Sequence, residues 1–145
     1  MKRTPKDTRR VTATKERVLE VSDHVGIREI ITAICKSRGF RVTRASSGDE
    51  AVEIYRKCGP FKLVLTDLYF YDGDGVEPPL SNTKTVRDGI QLALAIRKLA
   101  PEQNIVIHTA NSQVREQMPK ELRDVRILEK PFSREKLESL LQLGG

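Results

Sequence analysis

The sequence predicts an α/β protein built on a doubly wound five-stranded parallel sheet with helices on both faces. Three observations predict it. Short apolar runs of strand character alternate along the chain with stretches of helical periodicity, and most changeovers carry a cap or a breaker residue. At 145 residues the chain matches one ordinary domain, enough to bury about two-thirds of its unfolded surface around a single core. With 38% hydrophobic and 32% charged residues, the composition is that of a folded globular chain.

Arg17–Val21 reads as the first strand, and Ile27, Ile30, Ile31 and Ile34 follow at i, i+3, i+4, i+7, one face of a helix. Gly39 stops that helix, and residues 40–45 alternate apolar with polar, as a half-buried or edge strand does. Ser47-Gly-Asp-Glu50 has the form of a capping box, with Ala51, Ile54, Tyr55 and Cys58 at helical spacing before Gly59-Pro60. Leu63-Val-Leu65 is continuously apolar, which fits a strand covered on both faces and ending at Asp67. Leu92, Ala95, Ile96 and Leu99 mark a third helix up to Pro101, and residues 104–108 a fourth strand. A short polar helix within 111–118, ended by Pro119, a last strand at 126–128 and a capped amphipathic helix through Ser133, Leu137, Leu140 and Leu141 complete the alternation. Five such units joined by right-handed crossovers give a doubly wound sandwich.

The net charge of +6 is concentrated at the start: residues 1–17 hold seven Lys/Arg against Asp7 and Glu16, so five of the six charges lie there. Residues 1–16 are expected to be a disordered basic tail, whose touching of nucleic acid or anionic lipid by counterion release is a minor alternative; residues 17–145 are expected to be the folded domain. Cys35 and Cys58 stand alone, so neither a disulfide framework nor a zinc site is indicated. No stretch has the roughly 18 consecutive apolar residues of a membrane span, so a cytoplasmic protein is expected.

In doubly wound sheets ligands bind beyond the carboxyl ends of the strands, where the strand order reverses. The residues expected there are Ser22, Asp23, Asp67, Thr109 and Lys130. Two carboxylates brought together repel unless a cation lies between them, and hard oxygen donors around an open position suit Mg²⁺. Asp23 and Asp67 are expected to share that ion. A carboxylate such as Asp67 can attack phosphorus to give a reversible acyl phosphate, with Thr109 and Lys130 placed to stabilise the phosphoryl oxygens. Taken singly, each residue has a plainer reading as a cap, a turn former or a solvated charge.

Taken together they resemble the receiver domains of two-component response regulators, over residues 17–143. Val18-Leu-Glu-Val-Ser-Asp-His24 is similar to the acid-pair motif, Leu63-Val-Leu-Thr-Asp67 to the phosphoacceptor motif, Val106-Ile-His-Thr-Ala110 to the switch-threonine motif and Glu129-Lys-Pro-Phe132 to the lysine motif. The resemblance implies a flavodoxin-like (βα)5 fold and a single-domain response regulator. Its Asp67 would take a phosphoryl group from a sensor histidine kinase or phosphotransfer protein, in a signalling domain rather than a turnover enzyme. It further implies Mg²⁺ on Asp23, Asp67 and the Tyr69 backbone carbonyl, with Ser22 holding a metal-bound water. Tyr69 and Asn111 would tune the phosphate lifetime, and a downstream protein would read the face made by the fourth helix, fifth strand and fifth helix.

Three departures go with the resemblance. Ser22 stands where the pattern has a second acid, and Glu20, on the same strand face, is expected to lean toward the ion or toward Lys130. An insertion at about 71–86 replaces a tight loop and is expected to be exposed beside the site, choosing partners or gating access. Ile127 stands where an aromatic residue usually rotates on activation. Ser22 and Ile127 together support an alternative, a pseudo-receiver that binds a protein without being phosphorylated. A remoter alternative is a haloacid-dehalogenase-type phosphatase, from Asp72-Gly-Asp-Gly-Val76, but that motif normally ends the first strand and here follows two βα units.

Overall fold

In the computed structural model, which describes residues 16–22, 24–69, 86–111 and 113–143, the apolar runs become the strands of one sheet. The strands are β1 (Arg17–Val21), β2 (Arg41–Ala45), β3 (Leu63–Asp67), β4 (Ile105–Thr109) and β5 (Arg126–Glu129). All four pairings are parallel and the order is β2-β1-β3-β4-β5. The helices are α1 (Val25–Ser37), α2 (Gly48–Cys58), α3 (Gly89–Leu99), α4 (Val114–Gln117) and α5 (Arg134–Leu143), with a 3-10 turn at Lys120–Leu122. Residues 1–15, Asp23, residues 70–85, Ser112 and residues 144–145 lie outside the described residues, and with them most of the basic tail, one expected metal ligand and all but the end of the insertion.

β3 and β4 are buried at every position, as apolar runs between two helical layers should be, whereas β2, at the edge, is buried only at Ala45. The side-chain period of two divides the core between the faces. Leu19, Val21, Val64 and Ile107 pack against Ala51 and Tyr55 of α2 and Leu92, Ala93 and Ile96 of α3. Val18, Leu63, Leu65, Val106 and Leu128 pack against Ile31, Ile34 and Cys35 of α1 and Leu137 and Leu141 of α5.

Several local expectations hold in detail. Ser47 Oγ accepts from Glu50 N–H at 3.1 Å, and Glu50 Oε1 accepts from Ser46 N–H at 2.8 Å, so the capping box reaches one residue further back than its simplest form. Ser133 Oγ caps α5 by accepting from Lys136 N–H. The region after β4 departs from expectation: the polar helix shrinks to Val114–Gln117, and Pro119, expected only as a terminator, also opens the 3-10 turn, whose Leu122 is fully buried.

Candidate functional site

The strand order reverses between β1 and β3, so the crevice opens where those two strands end. Ser22 directly follows β1, Asp67 is the last residue of β3, Thr109 the last of β4, and Lys130 directly follows β5. Two backbone bonds hold this row of ends together: Ser22 N–H donates to Ala45 O at 3.1 Å, and Lys130 N–H donates to Thr109 O at 2.8 Å. The central contact joins residues 63 apart in sequence. Lys130 Nζ lies 3.1 Å from Asp67 Oδ1, which also accepts from Leu68 N–H at 2.9 Å. The Asp67 side chain is 12% exposed and that of Lys130 23%, so the pair is less screened than a surface ion pair.

A close approach of backbones fixes the loop after Asp67. Gly89 N–H donates to Leu68 O at 2.6 Å, and a Cβ on Gly89 would lie 2.4 Å from Asp67 O, a distance no side chain tolerates. Asp88 caps α3 by accepting from Gln91 N–H at 2.8 Å, and it pairs as an antiparallel bridge with Tyr69. The start and the return of the inserted segment are thereby tied together beside Asp67. Val86, on the return, packs against Gly48 at the start of α2, where a Cβ would lie 2.2 Å from Val86 Cγ1.

The expected lifetime-tuning residues flank this row. Tyr69 is 43% exposed. Asn111 Oδ1 accepts from Gln113 N–H, while Asn111 N–H donates to Thr109 Oγ1 at 3.1 Å, which seats the threonine hydroxyl in a local turn. Ile127 is half-buried against the cluster under α2 and α3.

Alternation puts Glu20, Asp67 and His108 on the α1/α5 side of the sheet. Glu20 is fully buried, and its Oε2 accepts from Ser22 Oγ at 2.7 Å. The expected lean toward Lys130 is thus corrected: Lys130 is engaged by Asp67, and Ser22, one pleat away on the same face, lies within reach of the longer glutamate. Burial raises the Glu20 pKa, opposed by the Ser22 hydrogen bond and by the charges of Arg28 and Arg44, with Asp67 adding a smaller upward push. Arg44 Nη2 donates to Thr32 Oγ1, and Glu20 makes no ion pair among the described residues. Burial, helped by the Glu20 charge, pushes the Cys35 thiol up to about 12.

His108 went unread in the sequence because it sits inside an apolar run. It is fully buried opposite Asp67 in register, its ring 6.2 Å from Phe132 in an edge arrangement. Burial, with a smaller push from Lys130, lowers its pKa to about 3, and neither ring nitrogen has a hydrogen-bond partner among the described residues.

The fold is shared with solved structures. The response regulator protein TrrA of Thermotoga maritima, solved in complex with Mg²⁺-BeF, aligns over 90% of this chain and 99% of its own, with TM-score 0.71 and 23% identity. The receiver domain of NtrX from Brucella abortus aligns over 88% and 96%, with TM-score 0.68 and 24% identity. The chain has the receiver-domain fold. A chain described as adenylate cyclase from Rhodopirellula baltica aligns to this receiver fold as well, with TM-score 0.67, 22% identity and coverage of 89% of this chain and 86% of that one. Among curated proteins, sporulation initiation phosphotransferase F of Bacillus subtilis (strain 168) is 30% identical over 79 residues, which span 54% of this chain and 62% of that protein. No family model matches the sequence.

Among the described residues no three His, Cys, Asp or Glu side chains gather as a metal centre, and none of the helices is long and apolar enough to cross a membrane. Asp23 and the Asp72–Val76 stretch lie outside those residues.

Proposed function

We propose that the chain is a phosphoacceptor response regulator: Asp67 takes a phosphoryl group from a histidine kinase or phosphotransfer protein and passes the signal on through a conformational change. The observation that carries this reading is the Asp67–Lys130 contact at 3.1 Å in the crevice at the strand-order reversal. An Asp67 carboxylate oxygen attacks phosphorus, the phosphorus–nitrogen bond to the donor histidine breaks, and the imidazole leaves with the bonding pair. Lys130 holds the carboxylate before transfer and turns its ammonium to a phosphoryl oxygen afterwards. Thr109 donates its hydroxyl hydrogen to another phosphoryl oxygen, a hydrogen that the bond its oxygen accepts from Asn111 N–H does not use.

The donor set fits a hard cation. Asp67 ends its strand with its carboxylate largely buried, and the backbone of Tyr69 follows two residues on. Ser22 stands at the neighbouring strand end, and the buried Glu20 Oε1 has no partner among the described residues. Mg²⁺, when bound by Asp67, Asp23 and the Tyr69 carbonyl, supplies positive charge against the phosphoryl oxygens. Tyr69 and Asn111 flank the acyl phosphate and set how readily water reaches it. Output passes to a downstream protein at the face of α4, β5 and α5, and the chain works in the cytoplasm without turning over a separate substrate.

The test is incubation with Mg²⁺ and acetyl phosphate followed by intact mass measurement, with Asp67→Asn as control. One labile phosphoryl adduct, absent from the control, is expected. No adduct at high Mg²⁺, even with phosphorylated histidine donors, replaces this reading with the pseudo-receiver, which Ser22 and Ile127 favour.

A further inference from the structure

A carboxylate in the middle of a strand face otherwise packed with Val18, Leu65 and Val106 needs a reason. Glu20 is wholly withdrawn from solvent, makes no ion pair among the described residues, and leaves Oε1 without a partner there. Burying a charged or polar group on such terms is costly, and an aliphatic residue would pack there at no such cost. Arg28 and Arg44 offset that cost only at longer range, since the Arg44 guanidinium is bonded to Thr32 and Arg28 Nε has no partner among the described residues. The contact that Glu20 does make points to the crevice: Ser22 Oγ donates to it at 2.7 Å.

We propose that Glu20 is a positioning residue for the divalent cation of the Asp67 site. By accepting a hydrogen bond from the Ser22 hydroxyl it turns the Ser22 oxygen lone pairs outward onto a metal-bound water, and it supplies, one pleat back, the negative charge that Ser22 lacks. Serine alone offers a donor and two lone pairs with no fixed orientation. Tied to a buried carboxylate, it presents an electron-rich oxygen in one direction, the way partners behind a metal site orient and strengthen the groups in front of them. Glu20 and Ser22 together thus act as one relocated acid.

This inference rests on the cation reading of the site, and its test separates the two. Mn²⁺, a spectroscopic stand-in for Mg²⁺, is titrated into the unphosphorylated full chain and the free ion counted by electron paramagnetic resonance. Wild type is expected to bind, and Asp67→Asn to lose binding. Glu20→Gln and Ser22→Ala should each weaken binding about tenfold or more. The combined Glu20→Gln/Ser22→Ala variant should be no worse than either alone. The deciding variant is Glu20→Gln/Ser22→Asp, which moves the acid to position 22 and should recover the lost affinity, while Ser22→Asp with Glu20 kept should gain less over wild type than Glu20→Gln/Ser22→Asp gains over Glu20→Gln. Should Glu20→Gln fold poorly, Glu20→Leu, which fits the apolar face, takes its place with the same expected loss.

Wild-type affinity in Glu20→Gln, no recovery in Glu20→Gln/Ser22→Asp, or an equal gain from Ser22→Asp with and without Glu20 overturns the role of Glu20 while leaving the cation site standing. Wild type that binds no better than Asp67→Asn overturns both.

Discussion

His108 follows three buried aliphatic residues in its strand, and its two ring nitrogens have no partner among the described residues. Because burial holds its pKa near 3 against 6.5 for the free side chain, the folded chain keeps it neutral while the unfolded chain protonates it. The contribution of His108 to stability is therefore undiminished above pH 6.5 and falls as the pH drops from 6.5 toward 3, at up to about 1.4 kcal/mol per pH unit. Glu20, with its raised pKa, works in the other sense, its contribution being full below its unfolded value and lost as pH rises through the folded one. His108→Leu isolates the histidine. Urea unfolding at pH 7.5 and pH 5.0 should show wild type losing about 2 kcal/mol more than the variant between the two. A residue like this is illegible in the sequence. Ile105-Val-Ile-His-Thr109 reads as a strand whichever way the imidazole points, and only the register opposite Asp67 reveals what it touches. Likewise, two-residue spacing put Glu20 and Ser22 on one face but not in contact, since the length of the glutamate side chain decides that.

At the scale of elements, the strands and the capped helices were legible because their signals are local. A capping box, a Gly-Pro stop and an apolar run each act within a few residues, and Ser47, Gly59 and Leu63-Val-Leu65 behave accordingly. The stretch between β4 and β5 was less legible, because Pro119 both ends one turn and begins another, and the burial of Leu122 is a tertiary event. The seating of α3 is also tertiary. Arg87-Asp-Gly89 suggests a turn, whereas the structure shows why position 89 is glycine: the helix starts in van der Waals contact with the carbonyl of Asp67. Gly89→Ala forces those backbones apart. It should cost about 1–3 kcal/mol in urea unfolding and, by shifting Asp67, slow phosphorylation by acetyl phosphate relative to a substitution on the exposed face of α3.

For the whole molecule, the sheet joins contacts far apart along the chain: Asp67 meets Lys130 across 63 residues, and Gln103 bridges 42 residues to the backbone of Phe61 while accepting from the buried Tyr55 hydroxyl at 2.5 Å. The first bond lies at the carboxyl ends of the strands and the second near the start of β3 and β4, so site and scaffold stabilisation occupy opposite ends of one sheet. Replacing residues 71–85 by a short Gly/Ser turn, which keeps the Tyr69–Asp88 bridge and the Val86–Gly48 contact, tests that separation. The thermal midpoint should stay within a few degrees of wild type, because loop length costs little once the ends are held. Phosphate lifetime or preference among donor kinases should shift, and unchanged kinetics would remove the insertion from the signalling role proposed for it.

The Tyr69–Asp88 bridge carries one more consequence. Since Tyr69 and Asp88 are joined directly, the length and composition of the sequence between them can drift without disturbing the register of any strand. Such a place lets ancestry experiment: a lineage can lengthen, trim or exchange that stretch while inheriting the rest intact. For the same reason it is a suitable place to splice in a reporter or an affinity epitope next to Asp67.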